Sequence, residues 1–134
     1  MSLVKDAERI GDYAKNILEV EVMFKGRIKN IEYFRRLVAV KQRIADHFPI
    51  LVKAFRESDT KLAETILHDY ASINSECNHI LQDLFSEQLP VQEAIATALL
   101  SRYLKRINSH MSNITSGIIY SLNEIDFVRG DMLE

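Results

Sequence analysis

One cysteine, two prolines and four glycines in 134 residues leave this chain short of both staples and breakers. The lone Cys77 excludes an internal disulfide and fits a reducing compartment. So little Pro and Gly argues against a many-turned sheet protein and for long helices. Neither sign of charge dominates. There are 17 Lys and Arg against 19 Asp and Glu, a net charge of −2, which gives no global pull toward nucleic acid or membrane. Long apolar runs are missing too: the stretch from Ile107 to Asn123 is uncharged but broken by Ser and Asn, so it does not read as a membrane span. No signal peptide is expected, and residues 1–3 are read as an expression scar on a fragment of a longer protein.

What is present is 47% apolar and 27% charged residues, enough for one compact core. Four amphipathic segments are read from the alternation of threes and fours. The first runs from about Leu3 to Met23 with Ala7, Ile10, Ala14, Ile17 and Val20 on its stripe, and loosens at Phe24-Lys25-Gly26. The second, from about Asn30 to Glu57, carries Phe34, Leu37, Val40, Ile44, Phe48, Leu51 and Phe55, with a kink expected before Pro49. Ser58-Asp59 supplies the N-cap of the third, whose stripe is Leu62, Ile66, Tyr70, Ile73, Cys77, Ile80 and Leu84. Pro90 suits the first turn of the fourth, with Leu100, Leu104, Ile107, Met111, Ile114, Ile118 and Leu122. Short connections then predict an all-α fold, an antiparallel up-down bundle of three to four long helices.

Charge is unevenly placed. Lys25, Arg27, Lys29, Arg35, Arg36, Lys41 and Arg43 crowd the second segment and its approach, whereas Glu57 to Glu93 is acidic. Mutual attraction of antiparallel neighbours explains this. A basic surface for lipid, phosphate or an acidic partner is the competing reading, without an aromatic-interleaved or Gly-rich element to support it.

An internal repeat stands out. Glu8-Arg9-Ile10-Gly11-Asp12-Tyr13-Ala14-Lys15-Asn16-Ile17 returns 97 positions later as Lys105-Arg106-Ile107-Asn108-Ser109-His110-Met111-Ser112-Asn113-Ile114. Arg, Ile, Asn and Ile coincide, while Glu8 and Asp12 give way to Lys105 and Ser109. Two helices therefore have equivalent structural parts, and only the first keeps its carboxylates. Glu8 and Asp12 lie one turn apart, away from the Ile10/Ile17 stripe, and Asn16 continues their face. Two hard oxygens so placed can share a divalent cation, although exposed carboxylate pairs at this spacing are commonplace.

The first copy resembles the ERIGDHxxNI signature that closes each three-helix repeat in PhoU-type phosphate-uptake regulators, and Arg102 to Leu122 is similar to the same helix of the next repeat. The resemblance implies a truncated first repeat at 4–24, a complete second repeat at 30–125 and a C-terminal tail at 126–134. It also implies surface metal clusters of iron, zinc, manganese or magnesium on the E(D)xxxD motif, hence Glu8 and Asp12, with Asn16 beside them and Asp6 as a helper pointing elsewhere. Lys105, Ser109 and Asn113 form the degenerate second motif, where no cluster is expected.

Other constellations are weaker. Glu76-x-x-His79 with Asp83 resembles part of a di-iron bundle site, but no second Glu-x-x-His accompanies it. His47, His68 and His110 occur singly, Cys77 sits on an apolar stripe, and no spacing proposes a catalytic triad. The resemblance thus implies a non-enzymatic cytoplasmic regulator of phosphate uptake, at the inner-membrane face, that contacts a phosphate transporter and a sensor kinase. The alternatives are a PhoU-like cytosolic domain of a sodium/phosphate cotransporter, and a carboxylate-bundle metal protein. Nucleic acid is not expected as a partner. The uncovered apolar stripe of the first helix predicts a homodimer or an exchanged helix.

Overall fold

The computed structural model describes residues 3–133, the side chains of Leu122 and residues 124–133 excepted. Four helices follow in order: α1 (Leu3–Met23), α2 (Ile31–Glu57), α3 (Thr60–Leu84) and α4 (Val91–Leu133). Among the described residues there is no strand, and the stretch expected as a C-terminal tail continues α4 as helical backbone to Leu133.

Local chemistry sets the boundaries. Asn30 caps α2, its side chain accepting from the Tyr33 N–H at 3.2 Å. The Asn30 N–H donates to the buried Glu93 carboxylate at 2.7 Å, which ties the start of α2 to the start of α4. α2 ends at Ser58, which takes the left-handed conformation at φ 53° and ψ 41°. There the Asp59 N–H reaches back to the Ala54 carbonyl at 2.9 Å, as in a Schellman turn. Asp59 then caps α3 by accepting from the Leu62 N–H at 3.0 Å, so one serine suffices to reverse the chain. Pro90 stands just before α4 and its carbonyl takes the first helical bond, from Ala94.

α2 runs unbroken as helix through Pro49. The proline leaves the Ala45 carbonyl without its usual donor. Both residues are exposed, so water can take that place.

The chain runs up and down. α2 lies antiparallel to α3 through Arg36–Asp83 and Arg43–Asp69, and α3 antiparallel to α4 through Cys77–Ser101 and Tyr70–Thr115. α1 lies antiparallel to α4, with Asp6 beside His110 and Tyr13 beside Tyr103. α4 touches all three other helices, whereas α1 meets neither α2 nor α3 among the described residues. The architecture is a three-helix bundle with α1 laid along the outer side of α4.

The buried stripes correct the expected ones on two helices. On α1 the inward residues are Asp6, Ile10, Tyr13, Ile17 and Val20, and Ala7 and Ala14 are exposed. α4 is a single neighbour, and a stripe carrying Tyr13 and Val20 buries more surface against it than the alanines would. On α2 the core takes Tyr33, Leu37, Val40, Ile44, His47, Leu51 and Ala54, leaving Phe34, Phe48 and Phe55 exposed. α2 carries two apolar stripes side by side. The buried one includes two partly polar members that contact charged neighbours: the Tyr33 ring lies beneath the Arg36 guanidinium and His47 Nε2 meets Asp69.

α3 follows expectation, with Ile66, Tyr70, Ile73, Cys77 and Ile80 buried. α4 buries Leu104, Ile107, Met111 and Ile118 as read from the sequence. It also buries Thr97, Ser101, Asn108 and Thr115, because it has neighbours on most sides. Ser101 donates to the Cys77 carbonyl at 3.0 Å, Asn108 Nδ2 to the Tyr70 carbonyl at 2.9 Å and to Asn74 Oδ1 at 2.8 Å. Tyr70 and Thr115 hydroxyls meet at 2.9 Å. These bonds fix the register of α3 on α4, since a slip would strand each polar group in the core.

Candidate functional site

The carboxylates singled out by the repeat lie on the outer side of α1. Glu8 and Asp12 are both exposed and Asn16 is half-buried. Arg9 approaches Asp12 at 4.0 Å in the open, a contact of little energetic weight. Asp6 is not part of this face. It is buried at 2% exposure, accepting from His110 Nδ1 at 2.9 Å and Asn113 Nδ2 at 3.5 Å. It therefore serves the α1–α4 contact and is not a helper to Glu8 and Asp12.

That contact carries the internal repeat into three dimensions. In the 97-residue register Tyr103 is the counterpart of Asp6, and His110 of Tyr13. Asp6 meets His110, and Tyr103 meets Tyr13 with ring centroids 6.1 Å apart. The two contacts are the same contact seen from either helix, as an approximate two-fold between α1 and α4 requires. Tyr13 and His110 stack on each other at 5.9 Å between the pairs. The sequence signal for this pairing was the repeat itself, read across the two helices.

The second copy of the motif is used structurally. Lys105 Nζ donates to Asn78 Oδ1 at 2.9 Å, Ser109 Oγ to the Lys105 carbonyl at 3.0 Å, and Asn113 leans toward Asp6. An ammonium and a self-satisfied hydroxyl stand where the first copy has its acids. Among the described residues no group of three or more His, Cys, Asp or Glu side chains converges in a way that would hold a metal ion. The residues therefore do not fit a preformed metal cluster. Glu8 and Asp12 alone offer two oxygens, with water left to fill the rest.

The acidic residues of α3 belong to α2. Arg36 joins Glu76 and Asp83 at 2.7 Å each. Burial would lower the Arg36 pKa, but the hydrogen bonds to Glu76 and Asp83 outweigh it and hold it above its ordinary value. Arg43 and His47 both reach Asp69, His47 Nε2 at 3.0 Å. The hydrogen bond from Arg43 keeps the Asp69 carboxyl below the usual carboxylate range, against partial burial and with help from His47. Attraction between neighbouring helices thus accounts for Arg36 and Arg43, two of the basic residues crowded on α2 and its approach. It also accounts for Glu76 and Asp83, which bind a guanidinium while His79 stays exposed.

A cleft of about 560 Å³ between α2 and α3 is edged by Arg35, Arg36 and Arg43, two of them already paired with acids. Burial pushes the Cys77 thiol up to about 11, so it is not a thiolate at neutral pH. A second groove, about 660 Å³, lies between α1 and α2 over Leu100 and Leu104 of α4, with Ile17, Phe34 and Val38 on its walls. No described helix is long and apolar enough to cross a membrane.

The family model for the PhoU domain matches residues 39–118, from the third turn of α2 through α3 and well into α4. The matched span includes the degenerate motif at Lys105 to Ile114 and leaves out α1. No curated protein and no solved structure matches the chain. With more than half its length matched, over the helices that form the three-helix bundle, this chain belongs to the PhoU domain family.

Proposed function

We propose that this domain is a non-enzymatic regulator of phosphate uptake or its signalling, working by contact with other proteins. The family match over 39–118 carries the reading. The phosphate transporter and the sensor kinase at the cytoplasmic face of the membrane are the partners proposed. Two features support docking as the mode of action. α1 presents Leu3, Val4, Leu18 and Val22 to solvent, and the apolar groove beside it is open. Deleting the gene in its host tests the proposal: phosphate uptake should lose its repression in phosphate-replete medium and regain it with the chain supplied in trans. Unchanged uptake after deletion would refute it.

Metal binding is proposed only in a reduced form, as a weak divalent site on Glu8 and Asp12 with Asn16 as a neighbouring amide. Exposed and two in number, these carboxylates leave most coordination positions to water, which suits magnesium or manganese better than a buried iron or zinc cluster. Calorimetric titration of manganese into the wild type and Asp12→Asn decides this. Weak binding lost in the variant supports the site, and equal binding by both removes it.

A further inference from the structure

The cleft of about 560 Å³ between α2 and α3 is lined by these two helices alone. Its opening has a local cause. Ala39 on α2 and Ser72 and Ser75 on α3 are small, while Arg35, Arg36 and Arg43 on one wall and His79 on the other stand around them. Arg36 spends Nε on Glu76 and Nη1 on Asp83, and Arg43 spends Nη2 on Asp69. A guanidinium has five N–H groups, so each keeps donors in hand. Arg35 is exposed and has no acidic partner among the described residues. The Ser72 and Ser75 hydroxyls and the His79 ring have no hydrogen-bond partner among them either. Donors from two helices thus border one cavity without being used by the fold.

We infer that this cleft binds inorganic phosphate. Guanidinium forks and hydroxyls match the oxygens of a tetrahedral anion. Arg36 and Arg43 have their charge balanced by acids, which also hold their remaining N–H groups in place before a ligand arrives. Arg35 supplies the positive charge that nothing on the protein cancels. Glu76 selects among anions. It lines the same cleft, and Arg36 engages only its Oε1, leaving Oε2 as an acceptor. A carboxylate there repels an anion that brings acceptors alone and accepts from one that carries a P–O–H. At about pH 7.5 inorganic phosphate keeps such a hydroxyl, sulfate has none, and a phosphate monoester with its second pKa near 6 has mostly lost its own. The cleft is open and its one uncancelled charge is screened by salt, so the dissociation constant is on the order of 1 mM. The inference rests on the donors of the cleft and not on the proposed role in phosphate uptake: a chain that binds phosphate but whose deletion leaves uptake unchanged would separate the two.

Titration of inorganic phosphate to about 20 mM into the whole isotope-labelled chain, at constant ionic strength and about pH 7.5, tests it by the movement of amide and arginine Nε signals in nuclear magnetic resonance. The shifts should saturate and centre on Arg35, Ala39, Ser72 and Ser75. Arg35→Gln should weaken binding about tenfold, and the double variant Ser72→Ala/Ser75→Ala about threefold or more. All three positions are exposed, so the helical circular dichroism spectrum should stay unchanged. Arg56→Gln, exposed at the far end of α2, should bind as the wild type does. Sulfate and glycerol phosphate should each bind about fivefold more weakly or worse. Shifts that grow without saturating, or that spread over the surface lysines and arginines at large, overturn the inference. So does equal binding by the wild type and Arg35→Gln. Sulfate or glycerol phosphate bound as tightly as phosphate overturns the choice of ligand.

Discussion

Removing His110 is the sharpest probe of how α1 is held. Asp6 is a carboxylate at 2% exposure whose close partner is His110 Nδ1, with Asn113 at 3.5 Å too far to replace it. His110→Ala leaves that carboxylate buried and nearly alone, a situation that costs about 3–5 kcal/mol. The His110 side chain is 17% exposed, so water can relieve part of this and the low end applies, about 3 kcal/mol. Losing the stack on Tyr13 adds about 0.5–1 kcal/mol. α1 rests on α4 alone, so the cost falls on the docking of α1 and not on the α2–α3–α4 bundle. Hydrogen exchange should show amide protection in the middle of α1 falling roughly a hundredfold or more while α3 keeps its own. The double variant Asp6→Leu/His110→Phe removes both polar partners, retains a ring for Tyr13, and should recover most of the loss. A loss under about 1 kcal/mol in the single variant, or protection lost equally in α3, would refute the reasoning.

Three further outcomes are expected. Ser58→Gly relieves a side chain held at φ 53° and should raise stability by about 0.5–1 kcal/mol in urea denaturation, whereas Ser58→Val should lower it. Asp69 has a folded pKa below its unfolded value. Its contribution is therefore full above the unfolded carboxylate pKa and is lost as pH falls through the folded one. Urea midpoints measured from pH 6 downward should fall less steeply in Asp69→Asn than in the wild type. With its thiol raised to about 11 by burial, Cys77 should resist a thiol reagent at neutral pH and react at once in denaturant.

The helices were legible because their signals are local. Asn30, Asp59 and Pro90 mark three starts, and the observed ends of α1, α2 and α3 fall within a residue or two of those read from the sequence, whereas α4 runs on to Leu133 through the stretch read as a tail. The choice of face was less legible. α2 offers Phe34, Phe48 and Phe55 on one stripe and Tyr33, His47 and Ala54 on its neighbour, and hydrophobicity alone favours the phenylalanines. On the stripe the core took, the Tyr33 ring packs under Arg36 and His47 Nε2 meets Asp69, contacts that depend on the paired helix α3 through Glu76, Asp83 and Asp69. Asp6 was misplaced for the same reason. An acidic residue two positions before Glu8 reads as surface chemistry until His110, 104 residues away, is brought against it. Glu93 passed unnoticed, since nothing near it in sequence announces the Asn30 N–H it accepts from. The repeat served best where it was degenerate: the exchange of Asp6 for Tyr103 and Tyr13 for His110 is what the α1–α4 contact is made of.

The attachment of α1 to α4 alone has a kinetic consequence. Residues 24–30 join α1 to α2 by a link of seven residues. A helix released from α4 stays tethered beside its own vacated surface, at an effective concentration on the order of millimolar. Return then outruns capture by another molecule until free chain reaches comparable concentration. Helix exchange between copies is thus suppressed by the leash, even though the docking surface on α4 would accept either α1 equally well. Shortening or stiffening that leash until α1 can no longer reach home would invert the preference.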